Sequence, residues 1–117
     1  MSPLTGISSM ATRQVLADLV AMYERASGAK VAIEAVGGVD AAKRVRAGER
    51  FDVAILASNV IDQLVAEGHA LPGSRVDLVR SGVAIAVRAG APRPDIGSEG
   101  AVREAVRRAR SVSYSTG

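Results

Sequence analysis

The sequence contains no cysteine and no tryptophan, and aromatic residues make up only 3% of its 117 positions. Without cysteine there is no disulfide framework, thiol nucleophile or thiolate metal site. So few aromatic side chains leave little to stack on unpaired bases, which disfavours binding of single-stranded nucleic acid. A single histidine cannot form a histidine-rich metal site or a Cys–His dyad. We therefore expect an aliphatic core, and no metal, cofactor or nucleic-acid partner.

Long apolar runs are also missing. No stretch approaches the roughly 20 residues that a membrane-spanning helix needs, so direct membrane insertion is not expected. The chain begins Met1-Ser2-Pro3-Leu4-Thr5, without the basic and then apolar order of a signal peptide. We expect either a cytoplasmic protein or a periplasmic protein whose leader has been removed.

The residues that are present are typical of a soluble globular protein. Apolar residues make up 48% and charged residues 23%, and the net charge is +3. A modest positive field favours anionic partners without choosing among them. A chain of this length is normally one domain and can bury a core.

An apolar run that ends in small residues and leads directly into a helical pattern occurs three times, over residues 4–13, 31–42 and 51–62. This order predicts an α/β fold, a three-layer sandwich of a mainly parallel sheet flanked by helices. The carboxyl ends of parallel strands then bring three helix N-termini to one edge of the sheet. Their free N–H groups and positive dipole ends are suited to a small anion.

The same patterns predict the bounds of the elements. We expect strands over residues 3–8, 30–36 and 51–57, and helices over 11–26, 40–47 and 60–67. Residues 76–87 are strand-like on both sides of Ser81 and Gly82. Ser98 is expected to cap a helix over residues 99–110, and residues 112–114 to begin another strand. The chain stops where a further strand-to-helix loop begins, which favours a truncated chain.

Two segments resemble the molybdate-type periplasmic solute-binding proteins. They are residues 65–83, VAEGHALPGSRVDLVRSGV, and residues 46–55, RAGERFDVAI. The resemblance extends over nearly the whole chain and implies a type II solute-binding fold, in which two lobes close around a ligand. Residues 1–80 would form the first lobe, and residues 81–117 the hinge strand and the beginning of a second lobe.

The resemblance also implies which residues bind the ligand, because this family uses serine hydroxyls and backbone N–H groups of the first two loops. The implied ligand-binding residues are Ser8, Ser9 and Met10 in the first loop, Gly37, Gly38 and Val39 in the second, and Ser58 at the rim. Gly37 and Gly38 replace the serines of molybdate binders, which keeps the backbone donors but loses two hydroxyls. The ligand class therefore widens to a small oxyanion or carboxylate.

Each of these signals also has a purely structural interpretation. Serines at strand-to-helix junctions are common helix caps, and a glycine pair can serve only as a tight turn. Asp52 and Asp62 form no obvious acid–base pair, and the G-x-S-x-G motif of a serine hydrolase is missing. We therefore expect that this protein is not an enzyme.

We expect non-catalytic binding of a small anion, as the substrate-binding component of an ABC-type transporter or a related sensor. The membrane component of the transporter would then be a partner. Two alternatives remain open. One is a module that self-associates as a homo-oligomer through an exposed cleft or sheet edge. The other is a cytosolic ligand-sensing domain without a transport role.

Overall fold

The computed structural model describes residues 2–114, which divide into two compact units, residues 2–80 and 81–114. The first unit holds a parallel sheet of three strands in the order β2-β1-β3. Its elements are β1 (Leu4–Ser9), a 3₁₀ turn (Met10–Thr12), α1 (Arg13–Ser27), β2 (Val31–Val36), α2 (Gly38–Arg46), β3 (Val53–Ile55) and α3 (Ser58–Ala66). The second unit contains α4 (Glu99–Arg108). The α/β fold with a parallel sheet flanked by helices is thereby confirmed. The assignment of residues 1–80 to a lobe and 81–117 to a hinge stays a prediction.

The core lies on the central strand. Ile7 of β1 is fully buried, as are Ala41 of α2 and Leu64 of α3, and α2 packs on β1 and α3. Alternation along the strand turns Gly6 and Ser8 to the opposite face. Leu16 of α1 is the buried apolar residue of that helix.

A glycine directly after a helical pattern, as at Gly28, predicts the end of the helix, and a serine before one, as at Ser98, predicts its N-cap; the structure confirms both predictions. Gly28 follows α1 with a φ of 72°, and its N–H donates to Glu24 O at 2.9 Å. Only glycine adopts this left-handed conformation without strain. In the second unit, Ser98 Oγ accepts a hydrogen bond from the Ala101 N–H at 3.1 Å and so caps α4.

The strand predicted over residues 76–87 is wrong, because this segment forms no regular element. Its apolar side chains are exposed, with Val76 83% and Val83 98% accessible. Alternating apolar residues form a strand only when a neighbouring strand accepts their hydrogen bonds. The structured part of the chain offers none to residues 76–87.

The strand predicted from residue 112 is also wrong as far as Tyr114, and the rest of that predicted loop, residues 115–117, lies outside the described residues. Strand β3 is shorter than expected, three residues instead of residues 51–57. Across residues 2–114, no helix is both long and apolar enough to cross a membrane.

Candidate ligand site at the carboxyl edge of the sheet

The parallel register brings together the strand-to-helix turns that the sequence singles out. Ser9 of β1 pairs with Val36 of β2, and Ser8 pairs with Ile55 of β3. The three turns therefore begin side by side at one edge of the sheet. Adjacent strands lie about 4.8 Å apart, so the outer two turns start within roughly 10 Å of each other.

None of the helices at this edge has a side-chain cap. Ser9 precedes the 3₁₀ turn and Thr12 precedes α1, and neither side chain makes a capping hydrogen bond. Gly37 and Ala57 precede α2 and α3, and these residues have no polar side chain to offer. The first amide groups of the 3₁₀ turn, of α2 and of α3 are thus left for water or for a ligand, whereas the first amide of α1, that of Arg13, donates to Met10 O.

The start of α2 is the clearest case. Its helical hydrogen bonds begin with the Ala41 N–H, which donates to Gly37 O at 2.9 Å. The amides of Gly38, Val39 and Asp40 precede that first bond and have no acceptor in the helical ladder. The exposed Asp40 carboxylate in this first turn opposes a bound anion, so the amides must supply most of the attraction.

Ser8 differs from the other predicted site residues because it is fully buried. Its Oγ has no hydrogen-bond partner, and leaving a buried hydroxyl unpaired costs about 1–3 kcal/mol. Ser8 lines a groove of about 720 Å³ between α1 and the sheet, together with Met10 and Arg13. Because this hydroxyl is itself fully buried, it can bind a ligand only where the ligand displaces the groups that cover it.

Thr12 lies in the same loop but is not among the predicted site residues, and its Oγ1 is likewise buried without a partner. A threonine directly before the first helical residue is a signal that could have identified it, because such a hydroxyl normally caps the helix. Arg13, the next residue, is exposed and adds a positive charge at this end of the groove.

The remaining predicted residues offer backbone groups rather than side chains. Met10 and Val39 are 45% and 57% exposed, and apolar side chains cannot donate to an anion. Ser58 is exposed and is the first residue of α3, after the N-cap Ala57, so its interpretation as a cap is wrong.

Among the residues that the structure describes, no cluster of three or more histidine or acidic side chains could hold a metal ion.

Comparisons with known proteins support the interpretation that this fold belongs to a solute-binding protein. The sequence profile of the bacterial extracellular solute-binding proteins matches residues 4–117. Aconitate isomerase from Pseudomonas sp is 37% identical over 120 residues, which cover 98% of this chain and 46% of that protein. The chain therefore spans about half the length of this curated relative. No solved structure matches significantly.

The expectation that this protein is not an enzyme is wrong, because a relative 37% identical over 98% of the chain is named as an isomerase. The sequence shows no nucleophile and base, and no acid–base pair, at short spacing. An enzyme built on a binding fold carries its reacting groups on loops that are distant in sequence, so a pattern at short spacing does not reveal them. The solute-binding resemblance is supported by the family match, whereas specificity for molybdate is not shown.

Proposed function

This chain belongs to the bacterial extracellular solute-binding protein family, and from that premise we propose that it binds a small polycarboxylate as part of an isomerase of the aconitate type. The observation that carries the proposal is the row of three strand-to-helix turns without side-chain caps. Their free amides act as hydrogen-bond donors for carboxylate oxygens at the positive ends of the helices.

The number and spacing of these turns suit such a ligand. Aconitate carries three carboxylates on a short unsaturated chain, and the three turns begin within roughly 10 Å of one another. One carboxylate can bind at each of two turns while the third remains free for the rest of the cleft. The net charge of +3 on this chain attracts a ligand with the opposite charge.

The same donors suit the chemistry of isomerisation. Changing the geometry about a carbon–carbon double bond requires a temporary loss of its double-bond character. Removal of a proton from the methylene group of aconitate, which is bonded both to a carboxylate and to a carbon of the double bond, has this effect, because the negative charge spreads across the former double bond into the carboxylate oxygens. Amide N–H groups fixed in a helix N-terminus stabilise that charge where it develops, and return of the proton completes the reaction.

A second candidate function is capture of the same anion for an ABC-type transporter or a sensor. The description of the family as extracellular solute-binding proteins favours it. Both candidates use the same amide donors, and they differ in whether the bound anion leaves chemically changed.

The test is titration calorimetry of the purified chain with cis-aconitate, trans-aconitate, the saturated analogue tricarballylate, and molybdate. Proton NMR of the same mixtures follows the vinyl hydrogen and so reports conversion. We expect binding of the tricarboxylates and appearance of the second isomer. Binding without conversion favours the transport or sensing role, and binding of molybdate alone contradicts a polycarboxylate ligand.

A further inference from the structure

The guanidinium of Arg44 lies between two carboxylates. Nη1 and Nη2 donate to Glu34 Oε1 and Oε2 at 2.8 and 3.0 Å, and Nε donates to Glu49 Oε2 at 2.7 Å. The Arg44 Cζ also lies 5.5 Å from the ring centre of Phe51. We name these four residues, Arg44, Glu34, Glu49 and Phe51, the Arg44 clasp. Paired forks of this kind fix the guanidinium in direction as well as distance.

The clasp joins the two elements on either side of the glycine pair. Glu34 lies on β2, and Arg44 lies in the last turn of α2, so their hydrogen bonds close the corner that contains Gly37 and Gly38. Two consecutive glycines leave the backbone much conformational freedom. Since no side chain caps α2 either, the direction of its first amides must be fixed from elsewhere in the structure.

We propose that Arg44 is a positioning residue for the candidate ligand site. By holding α2 against β2, it fixes the direction in which the Gly38 and Val39 amides point. This inference rests on the proposed function, in which those amides bind a carboxylate. Arg44 itself does not contact the ligand, since its donors are engaged by Glu34 and Glu49.

A direct electrostatic role would give the opposite result in one variant. The clasp holds one positive and two negative groups, so Glu34→Gln makes this region less negative. If the clasp acted through its charge, Glu34→Gln would strengthen anion binding. If Arg44 acts by positioning, Glu34→Gln releases α2 and weakens anion binding.

The experiment measures the dissociation constant for cis-aconitate in Arg44→Lys, Glu34→Gln and the control Arg75→Gln. Arg75 is a similarly exposed arginine paired with Asp62 and Asp77, away from the corner between β2 and α2. Titrations are run at a temperature where circular dichroism shows every variant folded. We expect about tenfold weaker binding for the first two variants, as displacement of donor groups predicts, and little change for the control.

Two results would overturn the inference. One is unchanged affinity in Arg44→Lys, which retains the charge but loses the fork. The other is tighter binding in Glu34→Gln. If the wild-type chain does not bind cis-aconitate, the proposed function is wrong, and the inference about Arg44 is then tested separately by ¹⁵N relaxation of the backbone amides. The order parameters of Gly38 and Val39 must then fall in Arg44→Lys while those of Ser58 and Asn59 stay constant, and equal values in wild type and variant would overturn it.

Discussion

A methyl group placed on the α-carbon of Gly6 would lie 2.9 Å from Cγ2 of Val53. Ile33 Cγ1 would lie 3.2 Å away on the other side. Gly6 is in the central strand, so side chains of both neighbouring strands close over it. Val53 of β3 and Ile33 of β2 can therefore pack closely over this position only because residue 6 has no side chain.

Gly6→Ala should consequently destabilise the fold. Overpacking of this kind costs about 1–3 kcal/mol, which exceeds the roughly 0.5–1 kcal/mol that alanine gains over glycine inside a strand. Urea denaturation followed by circular dichroism measures the free energy of unfolding. Gly82→Ala is the matched control, because nothing lies within 4 Å of the added carbon there. Equal stability of the two variants would contradict the predicted clash.

Gly38→Pro should abolish or strongly weaken anion binding without unfolding the protein. Proline is tolerated at the first position of a helix, and Gly37 already has φ and ψ of −55° and 142°, the extended conformation that a following proline requires. The substitution removes one free amide from the α2 start. Gly38→Ala keeps that amide and serves as the control. An unchanged dissociation constant in Gly38→Pro, with the helical content retained, would count against the site.

Ser8→Ala should leave the protein as stable as the wild type, or more stable. The Ser8 hydroxyl is buried without a partner, so its removal relieves a desolvation cost of about 1–3 kcal/mol. If the hydroxyl donates to the ligand, affinity falls in the same variant. Thermal denaturation with and without cis-aconitate measures both effects. A marked loss of stability in the unliganded variant would show that the hydroxyl has a partner after all.

Acid should weaken the Arg44 clasp. Hydrogen bonds from Arg44 hold the pKa of Glu34 and of Glu49 below the ordinary value of 4.5. Because the pKa values are lower in the folded state, the clasp contributes its full stability above pH 4.5. That contribution is lost as the pH falls through the lowered pKa values.

The measurement is the free energy of unfolding from pH 7 to pH 3 in wild type and in a double variant, Glu34→Gln with Glu49→Gln. The wild type should lose more stability than the double variant across the acidic part of this range. Other paired carboxylates, such as Glu67 beside Arg46, titrate in both proteins and cancel in the comparison. Parallel curves would mean that the clasp contributes no pH dependence.

The sequence predicted the order of strands and helices in the first unit because each element there carries its own local signal. Gly28 ends α1, and small residues follow each strand, so the carboxyl edge could be located in advance. Residues 76–87 show the limit of such signals. Their alternation of apolar and polar residues indicates which side chains a strand could bury. Strand formation also requires a neighbouring strand as hydrogen-bond partner, which no local pattern specifies.

The candidate site was predictable in position but not in detail. Parallel strands bring Ser9, Gly37 and Ser58 to one edge in any arrangement of this fold. The burial of Ser8 and the pairing of Arg44 with Glu34 depend on strand order and on which face α2 covers, and these emerge only from the tertiary structure. The likeness to an isomerase was not predictable, because the strand-to-helix turns that meet at this edge stand tens of residues apart along the chain.

The absence of side-chain caps on the helices at this edge affects how their first turns open locally. Without a ligand, no side chain caps the first turn of any of these helices, so each helix start can open locally and independently of the other two, with α2 opening only as far as the Arg44 clasp allows. An anion that accepts hydrogen bonds from several of these turns at once would serve as their shared cap. With the ligand bound, the three helix starts would open together rather than one at a time. Amides near residues 10, 38 and 58 would then become protected from hydrogen exchange together.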